Sequence, residues 1–423
     1  MKRLLLFLLL PAALRAAEVL SLQTATPVTT PPVLDGKLDD SAWKEIPKVG
    51  TFYAFFSGVP RPAASKTDYQ IGYDKTGVYL AIRFHDPQMD KIKASITTRG
   101  DGALWTDDSA EVYLDPDGAG IGFRKFMVNS LGTQSGALQL DAANVDQTWN
   151  PDGWKVATGK DAEGWTAEFF FPTSVLGRTA EPGDLWRYAI TRFAYAGKGL
   201  HAASSPGAKF FNPENFGWLY FLKSAKPDAL ALGIEIKSRM PGDWILPLGA
   251  EAVAKQGDKI EVVKLSEPVD TGKAKAVVAL AECRKLPASA EVAATLDGIV
   301  EKLAAIPEGV TDPADFANAM LDLAAVDKSI EDYAFSQKLK ALVEKNAPAP
   351  LPTPAPKEKK VPKPKVEKEE KPAKPAVKKD EKRDAAPEAP PQADSTAWRC
   401  SNWARTSAST SEGSMLCSRH WKS

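Results

Sequence analysis

Between residues 69 and 84 apolar and polar positions alternate: Tyr69, Ile71 and Tyr73 lead into Asp74-Lys75-Thr76-Gly77, and Val78, Leu80, Ile82 and Phe84 lead away from it. A period of two on both sides of a turn predicts a β-hairpin. The same period returns in Ala110, Val112 and Leu114, which stop at Asp115-Pro116-Asp117-Gly118, then in Phe126 and Val128, in residues 165–171 and in 185–193. Short strands with turns between them predict a mainly β fold, a two-sheet antiparallel β-sandwich over residues 20–222.

Beyond residue 225 the period lengthens, and residues 225–346 read as a mixed, mostly helical region. Residues 273–286, 290–306 and 313–344 carry apolar side chains at helical spacing, as in Val292, Leu296, Ile299, Val300 and Leu303. Cys283 falls in such a stripe as a small hydrophobe. Residues 244–266 read equally as a strand pair or as irregular chain. Periodicity then stops. Twelve of the 33 prolines lie in residues 347–392, mixed with Lys, Glu and Asp and with no Ile, Met, Phe, Tyr or Trp. Such a stretch buries too little apolar surface to order itself, so residues 347–396 are expected to be a disordered linker. Residues 397–423 form a Ser-rich tail with Trp398, Trp403, Trp421, Cys400 and Cys417, and linker and tail together are a candidate contact for a protein partner.

At the other end Lys2-Arg3 precede a Leu-rich run and then Pro11-Ala12-Ala13-Leu14-Arg15-Ala16-Ala17. This is the order of a secretory signal peptide over residues 1–17, and it predicts a secreted or periplasmic protein with no transmembrane segment in its mature form.

Charge narrows the field. With 54 Lys+Arg against 54 Asp+Glu, no net charge draws the chain to nucleic acid. Three cysteines and three histidines match no zinc spacing and no disulfide framework. There is no Gly-x-Ser-x-Gly elbow, phosphate-binding glycine loop or His-Glu-x-x-His, so the expectation is a protein that is not an enzyme.

The sandwich does offer tryptophan beside carboxylate. Seven of the 11 tryptophans fall in residues 20–222, and Trp105 stands just before a strand whose Ala110, Val112 and Leu114 point inward. Glu111 and Tyr113 then take the opposite face. A sugar ring has apolar C–H faces and a hydroxyl rim, which a flat aromatic and a carboxylate can meet. The same two residues also read as a packed rim tryptophan and a solvated strand position.

Four segments carry a resemblance. Val33-Leu34-Asp35-Gly36-Lys37-Leu38-Asp39-Asp40-Ser41-Ala42-Trp43, Trp105-x-x-Asp108-Ser109-x-Glu111, Phe126-Met127-Val128-Asn129 and Asn215-Phe216-Gly217-Trp218 resemble, in that order, the family 9 carbohydrate-binding modules. The resemblance covers residues 20–222 and implies a β-sandwich of the DOMON-like superfamily in which two tryptophans, here Trp105 and Trp218, clamp a terminal sugar. It assigns hydroxyl binding to Glu111 and Asn215. Sugar-binding members have Arg where this chain has Met127, which cannot donate a hydrogen bond. Lys125, two residues earlier on the same face, is the candidate replacement.

The resemblance also implies structural calcium, with Asp107, Asp108, Asp115 and Asp117 as candidate ligands. The expected function is an exported, non-catalytic glycan-binding protein accessory to carbohydrate catabolism. Two alternatives stay open. One is a cell-surface or periplasmic protein-interaction module. The other is a haem b-binding sandwich, with Met127 and either His85 or His201 as axial ligands.

Overall fold

The hairpin predicted at residues 69–84 closes as a tight turn because the Asp74 carboxylate accepts from the backbone N–H groups of Thr76 at 2.7 Å and Gly77 at 3.2 Å. It joins β4 (Thr67–Asp74) to β5 (Gly77–His85) in the computed structural model, which describes residues 18–55, 60–141, 143–196, 201–206, 213–286 and 290–346. The expected leader (1–17), linker (347–396) and tail (397–423) lie outside the described residues.

The other elements before residue 222 are β1 (Glu18–Val19), β2 (Leu22–Pro27), α1 (Ser41–Glu45), β3 (Tyr53–Ala54), β6 (Ser109–Asp115), β7 (Arg124–Asn129), β8 (Gln134–Gln139), β9 (Val145–Asp146), β10 (Lys155–Asp161), β11 (Gly164–Pro172), α2 (Thr173–Leu176), β12 (Leu185–Phe193), β13 (Ala202–Ala203) and β14 (Gly217–Phe221). Two sheets result. The first runs β10-β11-β5-β4 and the second β14-β12-β6-β7-β8-β9. Most pairs are antiparallel, but β2 is parallel to both its neighbours: its first residues pair with β14 and Thr26–Pro27 pair with β4, so one strand stitches the sheets together.

Alternation decides what lies between the sheets. Ile71, Leu80, Ile82, Phe84, Trp165 and Phe169 of the first sheet pack against Val112, Leu114, Phe126, Val128, Trp186 and Ile190 of the second. Phe84 and Trp165 stack with ring centroids 3.9 Å apart. Arg192 of β12 also enters this interior, 1% exposed, where it bonds the carbonyls of Lys66 and His85 and pairs with Asp86 at 3.3 Å. Burial pulls its pKa down to about 10.

The outer side of the first sheet is closed by the segment that opens the resemblance. Glu168 of β11 accepts from Trp43 Nε1 at 2.7 Å, Gly36 N at 2.7 Å and Asp35 N at 3.1 Å. Gly36 has φ +83°, and a Cβ there would lie 2.6 Å from the Thr158 backbone, so no other residue fits. Trp43 is 2% exposed among Ile46, Tyr79 and Ala81. The Asp-Gly and Trp of this segment therefore form a latch on the sheet.

Residues 225–346 continue the same body with α3 (Ala229–Lys237), a meander of β15 (Trp244–Leu248), β16 (Glu251–Gln256) and β17 (Lys259–Lys264), and α4 (Ser266–Cys283), α5 (Ala290–Ala305) and α6 (Pro313–Lys345). Residues 244–264, open between two readings in the sequence, are thus three strands. The fourth strand of that sheet is β1, paired parallel to β15. Leu22, Tyr220, Leu232, Ile236 and Trp244 form a core joining the sandwich to this region. A further core, with Cys283 in it, holds the three long helices together. At Gly272 a Cβ would strike the Leu323 side chain at 2.1 Å, so glycine lets α4 approach α6 closely. Among the described residues no helix is long and apolar enough to cross a membrane.

Candidate functional site

Outward alternation places a polar row on the outer face of the second sheet. In β6 the residues between the core positions are Glu111 and Tyr113, and pairing sets Glu111 beside Thr191 of β12 and Met127 of β7, with Tyr113 beside Ala189 and Lys125. Glu111 and Lys125 are 2% and 6% exposed, and their Nζ–Oε1 distance is 3.3 Å. Tyr113 donates its hydroxyl to Glu111, and Thr191 Oγ1 donates at 3.3 Å. Met127 leaves its place opposite Glu111 without a cation, and Lys125, diagonal to it, supplies one.

Trp105 belongs to the same face. It sits in a 3-10 turn, Gly102–Thr106, started by Asp101, whose carboxylate accepts from Ala103 N at 2.8 Å. Its ring is 47% exposed and lies 6.4 Å from that of Phe193, two residues beyond Thr191 on β12. His201 meets Phe193 and Tyr195 edge-on at 5.2 Å and 5.1 Å, and Lys93 lies over Tyr195 at 5.0 Å. The turn is held from below: Asp107 accepts from Ser95 N, Ile96 N and Asn129 Nδ2, and Asp108 from Lys93 N and Tyr195 N. Burial raises the Asp108 pKa; for Asp107 burial also pushes upward, but these hydrogen bonds outweigh it and hold the carboxyl below its usual range.

Trp218 stands at the other end of the face. It pairs with Arg187, whose guanidinium covers its ring at 4.3 Å, and Arg187 in turn pairs with Asp115 at the end of β6. From the Phe193 level to the Arg187 level is about 20 Å at the usual strand rise. A clamp on one sugar needs two rings about 7–8 Å apart, twice a van der Waals contact. The structure therefore brings together Trp105, Glu111 and Lys125 and sets Trp218 apart, half-buried against the core shared with α3. Asn215 closes the turn Pro213–Asn215 at the Trp218 end. Between the two ends Phe216 packs on Tyr113 and Phe123 and roofs the face.

The four aspartates do not form a calcium site. Asp107 and Asp108 precede β6, while Asp115 and Asp117 end it, which separates the pairs by about 20 Å. Asp115 is spent on Gly118 N and Gly120 N, and Asp117 lies 3.5 Å from Arg178. Among the described residues no group of three or more His, Cys, Asp or Glu could hold a metal ion.

Haem ligands are not assembled either. Met127 faces outward from the second sheet, whereas His85 faces outward from the first and bonds Asp68 at 2.7 Å. His201 accepts from Ala194 N at 3.2 Å and is wedged between Phe193 and Tyr195.

Sequence reasoning missed Thr191, Phe193 and Tyr195, and read His201 only as a haem ligand. Alternation along β12 puts Thr191 and Phe193 on one face, but only its pairing with β6 brings that face to Glu111.

Residues 34–221 match the model of the family described as carbohydrate family 9 binding domain-like. Among solved structures, a family 9 carbohydrate-binding module from Caldicellulosiruptor kristjanssonii in complex with glucose is 14% identical, covering 49% of this chain and 98% of its own at a TM-score of 0.37. The same organism's module in complex with cellotriose gives 14% identity, 49% and 96% coverage and 0.35. A Bacteroides uniformis protein put forward as carbohydrate-binding gives 13%, 47%, 98% and 0.39. No curated protein matches the chain.

Proposed function

With residues 34–221 a carbohydrate family 9 binding domain-like β-sandwich as the premise, we propose that this chain is an exported, non-catalytic glycan-binding protein that seats a sugar on Trp105. The observation that carries the reading is an exposed tryptophan on the same sheet face as a buried, fully engaged carboxylate and cation. Trp105 offers an apolar platform to the C–H face of a ring. His201 packs on Phe193, whose ring lies 6.4 Å from that of Trp105, Tyr195 packs on His201 and Lys93 lies over Tyr195, a row that gives hydroxyl-rim donors and acceptors. Glu111 and Lys125 lie beneath as a charged pair that fixes the Thr191 and Tyr113 hydroxyls. In this reading Trp218 and Asn215 act at the far end of the face, where Trp218 anchors the sandwich to α3 and a long glycan that spans the roof would reach them. Export rests on the basic and apolar order of residues 1–17, and an accessory role in carbohydrate catabolism follows from binding without chemistry.

Calorimetric titration of the full chain with glucan, xylan and mannan oligosaccharides tests this. Saturable heat that disappears in Trp105→Ala and persists in Trp218→Ala is the expected result. Heat lost only in Trp218→Ala would move the site to the other end. A second reading, a protein-interaction module, draws on Phe335, Leu339, Leu342 and Val343, which remain exposed near the end of α6. No heat with any glycan would favour it.

A further inference from the structure

The outer side of the first sheet holds a cleft of about 630 Å³ beside the latch, within the size range of small-ligand sites. Its floor is kept low by Ala81 and Gly159, small residues on β5 and β10. Outward positions of four strands line it, β4, β5, β10 and β11. Arg83 of β5 grips Asp161 of β10 with two hydrogen bonds of 2.7 and 2.6 Å, and His85 of β5 bonds Asp68 of β4 at 2.7 Å. The Asp161 pKa is held down to about 2, first by the Arg83 hydrogen bonds, so this carboxylate is ionised throughout the physiological range.

We propose that this cleft is a second binding site, which takes the hydroxyl groups of a neutral saccharide on the opposite sheet from Trp105. Three features point there. Carboxylates and Lys or Arg side chains line the cleft in near balance, five against four, so neither an anion nor a cation gains from entering. Two of the carboxylates are oriented by a neighbouring donor, Asp161 by the Arg83 guanidinium and Asp68 by the His85 ring, and both retain lone pairs that can accept from a hydroxyl. Carboxylate acceptors beside guanidinium and imidazole donors suit hydroxyls, each of which donates once and accepts twice.

Among the described residues no Phe, Tyr or Trp lines the cleft, so binding there is by hydrogen bonds alone and is weaker than on Trp105. Two sites on opposite faces would let one chain hold two glycan strands, which raises retention on an insoluble polymer through effective concentration. The inference does not depend on the Trp105 reading.

Histidine resonances give the test, because the chain has only three histidines and, among the described residues, His85 alone lines the cleft. Full-length Trp105→Ala protein is titrated at fixed pH with cellotriose, xylotriose and mannotriose while the His85 ring signals are followed by NMR. The expected result is a saturable shift of His85 with at least one sugar, abolished in Trp105→Ala carrying Arg83→Met and Asp161→Ala. His85 signals that stay fixed with all three sugars overturn the proposal, as does a shift that survives the added substitutions. If those substitutions disturb the fold, Lys48→Ala on the exposed rim should at least halve the apparent affinity, and an unchanged affinity would count against the site. Loss of the Trp105 site is read separately, as calorimetric heat that Trp105→Ala removes.

Discussion

The two outer faces of the sandwich each bury a glutamate, and they stabilise it by different means. Glu168 on the first sheet has only neutral donors, two backbone N–H groups and the Trp43 indole, all brought by a segment more than a hundred residues away in sequence. Glu111 on the second sheet has a cation, Lys125, and hydroxyls of its own sheet. A carboxylate held by neutral donors ties two pieces of chain together and asks nothing of a ligand. One held by a cation keeps its charge within a patch that already belongs to a single face, and an exposed aromatic can stand next to it. The latch is therefore a device of folding, and the Glu111 row lies where recognition is proposed, although the two look alike as buried acids.

The sharpest way to break this contrast is to remove the latch. Trp43→Ala should cost about 3–5 kcal/mol in urea unfolding, as for other buried aromatics, and leave the affinity of the remaining folded protein for oligosaccharide within about twofold. Lys125→Met leaves Glu111 buried without its cation and should cost about 3 kcal/mol by the same measurement, with binding weakened as well. If Lys125→Met proves neutral, Glu111 draws its stability from Tyr113 and Thr191, and the two faces are less different than they look. Next comes Trp105→Ala, expected to reduce affinity by about thirtyfold, the scale of an interface hot spot, with stability changed by less than about 0.5 kcal/mol. Trp218→Ala should do the reverse, since its ring is covered by Arg187 and packed on α3.

The smallest expected effect is in pH. Burial raises the Glu168 pKa above its ordinary 4.5 despite the three donors. In the window between those values the native state holds a proton that the unfolded chain has released, so stability falls as pH rises through it. Glu168→Gln should flatten that slope in thermal unfolding followed from pH 4 upward, while lowering stability overall because an amide offers one acceptor oxygen where the latch uses two.

Much of this was legible in the sequence wherever the information is local. The alternation around Asp74–Gly77 gave a hairpin, the helical spacing gave α4, α5 and α6, and Cys283 took its place in the apolar stripe. The outward side of Glu111 and the shared face of Lys125 and Met127 also followed from a period of two. What stayed hidden depends on partners far along the chain. Nothing near Trp43 announces Glu168, and nothing near Trp105 announces Phe193. The distance between Trp105 and Trp218 is likewise a matter of strand register, which motif spacing does not contain. The aspartates misled because an acid that satisfies backbone N–H groups and an acid that awaits a cation have the same sequence signature.

The parallel pairing of Glu18–Val19 with Trp244–Ile245 bears on how the molecule is made. Synthesis makes β1 before every other described strand, yet its partner strand arrives only after more than two hundred further residues. A strand made before the rest of the sandwich is thus among the last to find its place, and such long-range closure slows completion of the fold. Until then the edge of β15 stands open, a ready template for another copy's strand. Shortening the chain at either side of that pairing should show up first as aggregation during production, before any loss of sugar binding can be measured.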